Sequence, residues 1–164
     1  MEREMDRVDI ATALFVLMAA ASVYCLLRVF SAYAADLSES IECEKAVRSA
    51  AEVLQLVKVV DGDTVDIMVK AYDNIFVQER LRLLGVDTPE KFGKTKTAGL
   101  EATAFTTKWI EEHTELKVRG YGRGKFGRPL AILCGTGADD KQHCLNIDLI
   151  ESGNAKLYCG GKRE

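Results

Sequence analysis

Apolar and polar positions alternate differently along three stretches of the chain. From Ile10 to Leu27 eighteen consecutive residues carry no charge. A helix of that run is apolar on every face, which no soluble domain of this size needs. At about 1.5 Å per residue it comes close to the roughly 30 Å of a bilayer core. Arg28 can snorkel, so the span extends to Ala35. The next stretch, DLSESIECEKAVRSAAEVL over residues 36–54, is polar and helix-prone and predicts a linker helix over 36–53. Beyond it short β-rich runs take over. QLVKVVDGDTVDIMVK (55–70) is two strands around the turn signal Asp61-Gly62-Asp63, and a third run follows from Ile75 to Val86.

The loop KFGKTKTAG then leads into a helix from Leu100 to His113, with Ala102, Phe105 and Trp109 on one face and Trp109 as a core anchor. ELKVRGYG and RPLAILCG are strands joined by RGKF, CLNIDLIESG is a short helix ending at Gly153, and AKLYC is a last strand. Strands outnumber helices, so the fold class is α+β, mainly β. The organisation is a membrane or signal segment at 1–35, a linker helix at 36–53 and one folded domain at 54–164.

Two export routes fit the first segment. Ala32-Tyr33-Ala34 is an A-x-A signature that predicts cleavage after Ala34. The opening MEREMDRVD, with four acids and two arginines, is a poor basic n-region and argues for an uncleaved anchor. Either route puts the domain outside the membrane, anchored or secreted. Cys43, Cys134, Cys144 and Cys159 allow three pairings. A Cys134–Cys144 bridge fits the polar connection GTGADDKQH between them, and free buried thiols remain the alternative. Removing residues 1–35 takes away three basic and four acidic groups and leaves the remainder net acidic, so any nucleic-acid contact is local.

Chemistry gathers where charge meets the apolar runs. Asp63 shares parity with Val65, Ile67 and Val69, and Arg82 shares it with Leu84 and Val86, so both point where a charge needs a partner. Asp87 closes the strand, and Thr88 precedes Pro89, which biases its backbone to an extended form. Asp63, Asp87 and the Thr88 carbonyl are hard oxygen donors of the kind Ca²⁺ takes. A plain salt bridge from Arg82 to Asp63 or Asp87 accounts for the same residues. Lys91, Lys94 and Lys96 form one basic loop, and Arg119, Arg123, Lys125 and Arg128 surround another, both expected beside this site. His113 and His143 read as exposed polar residues with no ligand spacing.

The segments VVDGDTVDIMV, RLRLLGVDTPE, GLEATAF, GRGKFGRPLAIL and LNIDLIESGNAKLY, in this order and spacing, resemble the staphylococcal nuclease family over roughly Leu54 to Gly161. The resemblance implies a five-stranded OB-type barrel with packed helices. It implies Ca²⁺ held by Asp63, Asp87 and Thr88, Glu90 as general base, and Arg82 and Arg128 on the phosphate. It also implies hydrolysis of DNA and RNA at the 5′-oxygen to leave 3′-phosphates, with no obligate protein partner. Lys125 is kept, but Phe126 stands where the best-known members have tyrosine. Cys159 replaces a nucleotide-stacking tyrosine, a role its neighbour Tyr158 would take in substrate binding. The competing expectation is a catalytically silent barrel that binds a single strand or a protein.

Overall fold

The computed structural model describes residue 24 and residues 49–160. The apolar run 10–27, the Ala34 cleavage site, Cys43 and residues 36–48 of the expected linker lie outside these residues. Contacts divide the chain into units 1–37 and 38–164, and the strands and helices named here all belong to the second. They run β1 (Ser49–Asp61), β2 (Thr64–Tyr72), β3 (Ile75–Leu83), β4 (Gly85–Asp87), α1 (Lys96–Glu112), β5 (Thr114–Arg123), β6 (Pro129–Thr136), β7 (Gln142–Cys144), α2 (Leu145–Glu151) and β8 (Lys156–Tyr158). The helices expected at Leu100–His113 and at 144–153 are both present, α1 beginning four residues early.

One sheet runs in the order β3-β2-β1-β5-β6-β7. A parallel pairing of β3 with β6, Arg82 opposite Leu130 and Leu83 opposite Ala131, closes β1, β2, β3, β5 and β6 into a five-stranded barrel. Closure removes the open edges that long strands would otherwise expose. Val65, Ile67, Leu83, Leu133, Leu145 and Leu149 are almost wholly excluded from solvent and fill the interior.

Two expectations need correction. Residues 49–53 are strand, not helix: Ser49–Glu52 pair with Gly120–Lys117 of β5, and Ala51, Val53 and Leu56 pack against the core. Cross-strand pairing here outweighs the helix propensity of Ala and Glu, which is a weak local preference. The third run is also not continuous to Val86. Gly85 has φ +77°, a left-handed conformation that ends β3 and redirects the chain into β4, which pairs with β8.

The bend is fixed from behind by Asn146 of α2. Its Oδ1 accepts from the Leu133 amide at 3.1 Å, and its Nδ2 donates to the Leu84 carbonyl at 2.7 Å and the Ala131 carbonyl at 3.2 Å. Asn146 is fully buried. It therefore ties α2 to β6 and to the exit of β3 with every polar group of its amide engaged.

Candidate active site

The Asp61-Gly62-Asp63-Thr64 sequence makes the tight β1–β2 connection, with Asp61 paired to Thr64 and the Asp63 amide donating to Asp61 Oδ1 at 3.2 Å. Helix α1 lies directly on this turn. A Cβ on Gly62 would meet the Ala102 Cβ at 2.8 Å and the Thr88 side chain at 2.9 Å, so only glycine permits the approach. Thr106 Oγ1 locks it by donating to the Gly62 carbonyl at 2.6 Å. Asp63 is thereby held at 5% exposure, facing the end of β3.

A carboxylate so buried must be paired, and Asp63 is paired on both oxygens. Its Oδ2 accepts from the Thr88 amide at 2.9 Å and from Thr88 Oγ1 at 3.0 Å. Its Oδ1 forms an ion pair with Arg82 Nη1 and accepts from Thr64 Oγ1 at 3.2 Å. Arg82, itself buried, reaches with Nη2 to Asp87 Oδ1 at 3.1 Å. One guanidinium therefore bridges two carboxylates supplied by different strand ends. The ion pairs expected of Arg82 are present, and it joins both acids instead of choosing one.

The bridged acids sit at a cleft of about 600 Å³ lined by Asp63, Arg82, Thr88, Glu90, Lys125, Phe126, Arg128 and Tyr158, among others. Eight of the nine residues singled out from the sequence meet there, and Asp87 is tied to it through Arg82. Glu90 is exposed and follows the buried Thr88 by two residues. Arg128 is half-buried, its guanidinium carbon 6.0 Å from the centre of the exposed Phe126 ring. Tyr158 is brought to the cleft because β8 pairs it with Gly85.

Not every basic group gathers here. Arg119 points to Cys134, with Nη2 3.8 Å from its Sγ, and does not line the cleft. Arg123 Nη1 donates to the Gly127 carbonyl at 2.7 Å, which shapes the β5–β6 turn that presents Lys125 and Arg128. In the other basic loop, Lys91 is spent on the Val60 carbonyl. The cleft draws its positive charge from Arg82, Lys125 and Arg128.

The donor set suits a calcium ion. Asp63 and Asp87 already converge on a single cation, the Arg82 guanidinium, and the neighbouring donors are all oxygen, which favours a hard ion over zinc. Two positioning residues, Thr106 and Asn146, show no sign of their role in the sequence. Each is a polar side chain inside a helical run of otherwise ordinary amphipathic pattern, and only the tertiary partner gives it a role.

Cys134 and Cys144 are disulfide-bonded and sit opposite each other across β6 and β7. Cys159 is also disulfide-bonded. Compared with known families, residues 80–163 match the one described as Staphylococcal nuclease homologue. The match covers Arg82, Asp87, Thr88, Glu90, Lys125, Phe126, Arg128 and Tyr158, while the Asp63 turn lies ahead of it.

Proposed function

The chain belongs to the staphylococcal nuclease homologue family and has its nuclease-type fold, and from that premise we propose that it is a Ca²⁺-dependent nuclease acting on DNA and RNA outside a membrane. The observation that carries this reading is the convergence of Arg82, Glu90 and Arg128 on one cleft beside the paired acids Asp63 and Asp87.

Phosphodiester hydrolysis needs a water in line with phosphorus and compensation for the charge that grows on the equatorial oxygens. Arg82 and Arg128 supply planar, permanently protonated donor forks to a phosphate in the cleft. Glu90, exposed at the rim, accepts the proton of the attacking water. Asp63, Asp87 and the Thr88 carbonyl would hold the calcium ion, which polarises a phosphoryl oxygen when bound. Lys125, Phe126 and Tyr158 contact the flanking nucleotide, with Phe126 and Tyr158 offering ring faces for stacking. Cleavage at the 5′-oxygen leaves a 3′-phosphate. Disulfides persist in oxidising compartments, so the bonded cysteines support an external location, whether anchored through residues 1–35 or released after Ala34.

The full chain, purified in mild detergent, is incubated with end-labelled single-stranded DNA and RNA in calcium or in chelator. The expected outcome is calcium-dependent cleavage with 3′-phosphate ends, reduced about 10²-fold or more in Arg82→Lys, which keeps the charge and loses the fork. Binding of the strand with no cleavage under either condition would instead make the barrel a silent binding module.

A further inference from the structure

A second polar cluster lies at the far end of α1 from the cleft, and it is made by the two histidines that the sequence presents as unrelated. His113 follows the last residue of α1, His143 is the middle residue of β7, and Asp148 lies in the first turn of α2. One donor atom from each falls within 4.8 Å of the other two, and all three side chains are half-buried. Gly99, near the start of α1, packs against the backbone of Glu90, and the fourteen positions from there to His113 span about 21 Å at 1.5 Å per residue. The cluster is therefore independent of the cleft and of the activity proposed there.

Each of the three groups is oriented by a hydrogen bond through one polar atom, which leaves it a second atom for a ligand. His113 Nδ1 lies 2.7 Å from the Trp109 carbonyl, which can only accept, so Nδ1 carries the proton and the lone pair is left on Nε2. His143 Nε2 donates to Asp139 Oδ1 at 2.9 Å, which leaves its lone pair on Nδ1. Asp148 Oδ2 accepts from Trp109 Nε1 at 2.5 Å, and Oδ1 remains as a ligand oxygen. The His113 ring stacks on Trp109 with centroids 3.9 Å apart and meets His143 edge-on at 5.5 Å. Imidazoles fixed by a backbone carbonyl or a carboxylate on the remote nitrogen are the arrangement that metal-ligating histidines adopt.

The surrounding sequence makes room for this meeting. Gly135 is paired with His143 across β6 and β7, and a Cβ there would come within 3.0 Å of the His113 Cβ. The Cys134–Cys144 disulfide fixes the residue next to His143 and the cap of α2 that carries Asp148. The C-terminal end of α1 adds a partial negative charge that favours a cation.

We propose that His113, His143 and Asp148 form a binding site for Zn²⁺ or a similar first-row divalent ion, with Asp139 and Trp109 as positioning residues. Two neutral imidazoles and one carboxylate match zinc and its neighbours and leave at least one position for water. The all-oxygen preference of Ca²⁺ keeps it out of this site. A bound ion ties α1, β7 and α2 together at one point.

Trp109 is the single tryptophan of the chain, so its fluorescence reports this site alone. The full oxidised chain in mild detergent is titrated with Co²⁺, followed by Zn²⁺ and separately by excess Ca²⁺. The expected result is saturable quenching at one equivalent of Co²⁺, reversed by Zn²⁺ and untouched by Ca²⁺. His143→Ala and Asp148→Asn should weaken the apparent affinity by at least about tenfold, and Asp139→Asn, which acts through His143, by about tenfold. Each variant is checked for a native-like thermal melt, and His143→Gln serves if alanine disturbs β7. Quenching that does not saturate, that Ca²⁺ reverses, or that keeps native affinity in His143→Ala and Asp148→Asn overturns the proposal.

Discussion

Arg82 is the residue on which the cleft depends twice, as the counter-ion of Asp63 and Asp87 and as a donor facing the cavity. Its side chain and that of Asp63 are 10% and 8% exposed, so removing the cation strands a buried carboxylate. Arg82→Ala should cost about 3–5 kcal/mol of folding free energy in urea denaturation, and a loss below about 1 kcal/mol would mean that water reaches Asp63 freely. Asn146 carries no catalytic role yet secures the bend that aims Asp87. Asn146→Ala leaves the Leu133 amide and the Leu84 carbonyl without this partner in a dry interior and should cost about 2–4 kcal/mol. The charged residues were legible in the sequence because a charge at apolar parity needs an explanation. Asn146 was not, because an Asn in a short helix resembles any surface position until its neighbours are known.

Among the elements, the β2–β3 hairpin carries a cross-strand ion pair away from the cleft. Asp66 and Arg80 are directly opposite, with Nε to Oδ1 at 2.7 Å and Nη2 to Oδ2 at 2.8 Å. The Arg80 hydrogen bond holds the Asp66 carboxyl below its ordinary 3.8, outweighing the upward push of desolvation. A depressed folded value means that the contribution is present above the unfolded value and is lost as pH falls through the folded one. Native protein should therefore lose more stability than Asp66→Asn on acidification from pH 5 to below the ordinary 3.8, and parallel acid melts would contradict the pairing. The β6–β7 hairpin is held by a disulfide of sequence separation 10, a loop for which the chain-entropy estimate is about 2–3 kcal/mol. The Cys134→Ser/Cys144→Ser double variant should lose that amount in denaturant melts. Strand alternation and the Asp-Gly-Asp turn made β2, β3 and the hairpins readable in advance. The start of β1 was hidden because its Ala-rich composition favours a helix locally and only β5 makes it a strand.

At the scale of the molecule, barrel closure brings together what the chain keeps apart. The β3–β6 pairing sets Arg82 beside the strand that follows Arg128, and the β4–β8 pairing adds Tyr158 to the same wall. These positions were legible through their motif order, since similarity of spacing carries the contacts with it. The His113–His143–Asp148 cluster was not legible, because its members lie in or beside three elements and no local spacing links them. Cleavage of single-stranded DNA by Glu90→Gln, measured at saturating calcium beside the native chain, tests the central claim most directly. Glu90→Gln should fold as the native chain does and cut about 10²–10⁴-fold more slowly. A variant that cuts at the native rate would contradict that claim.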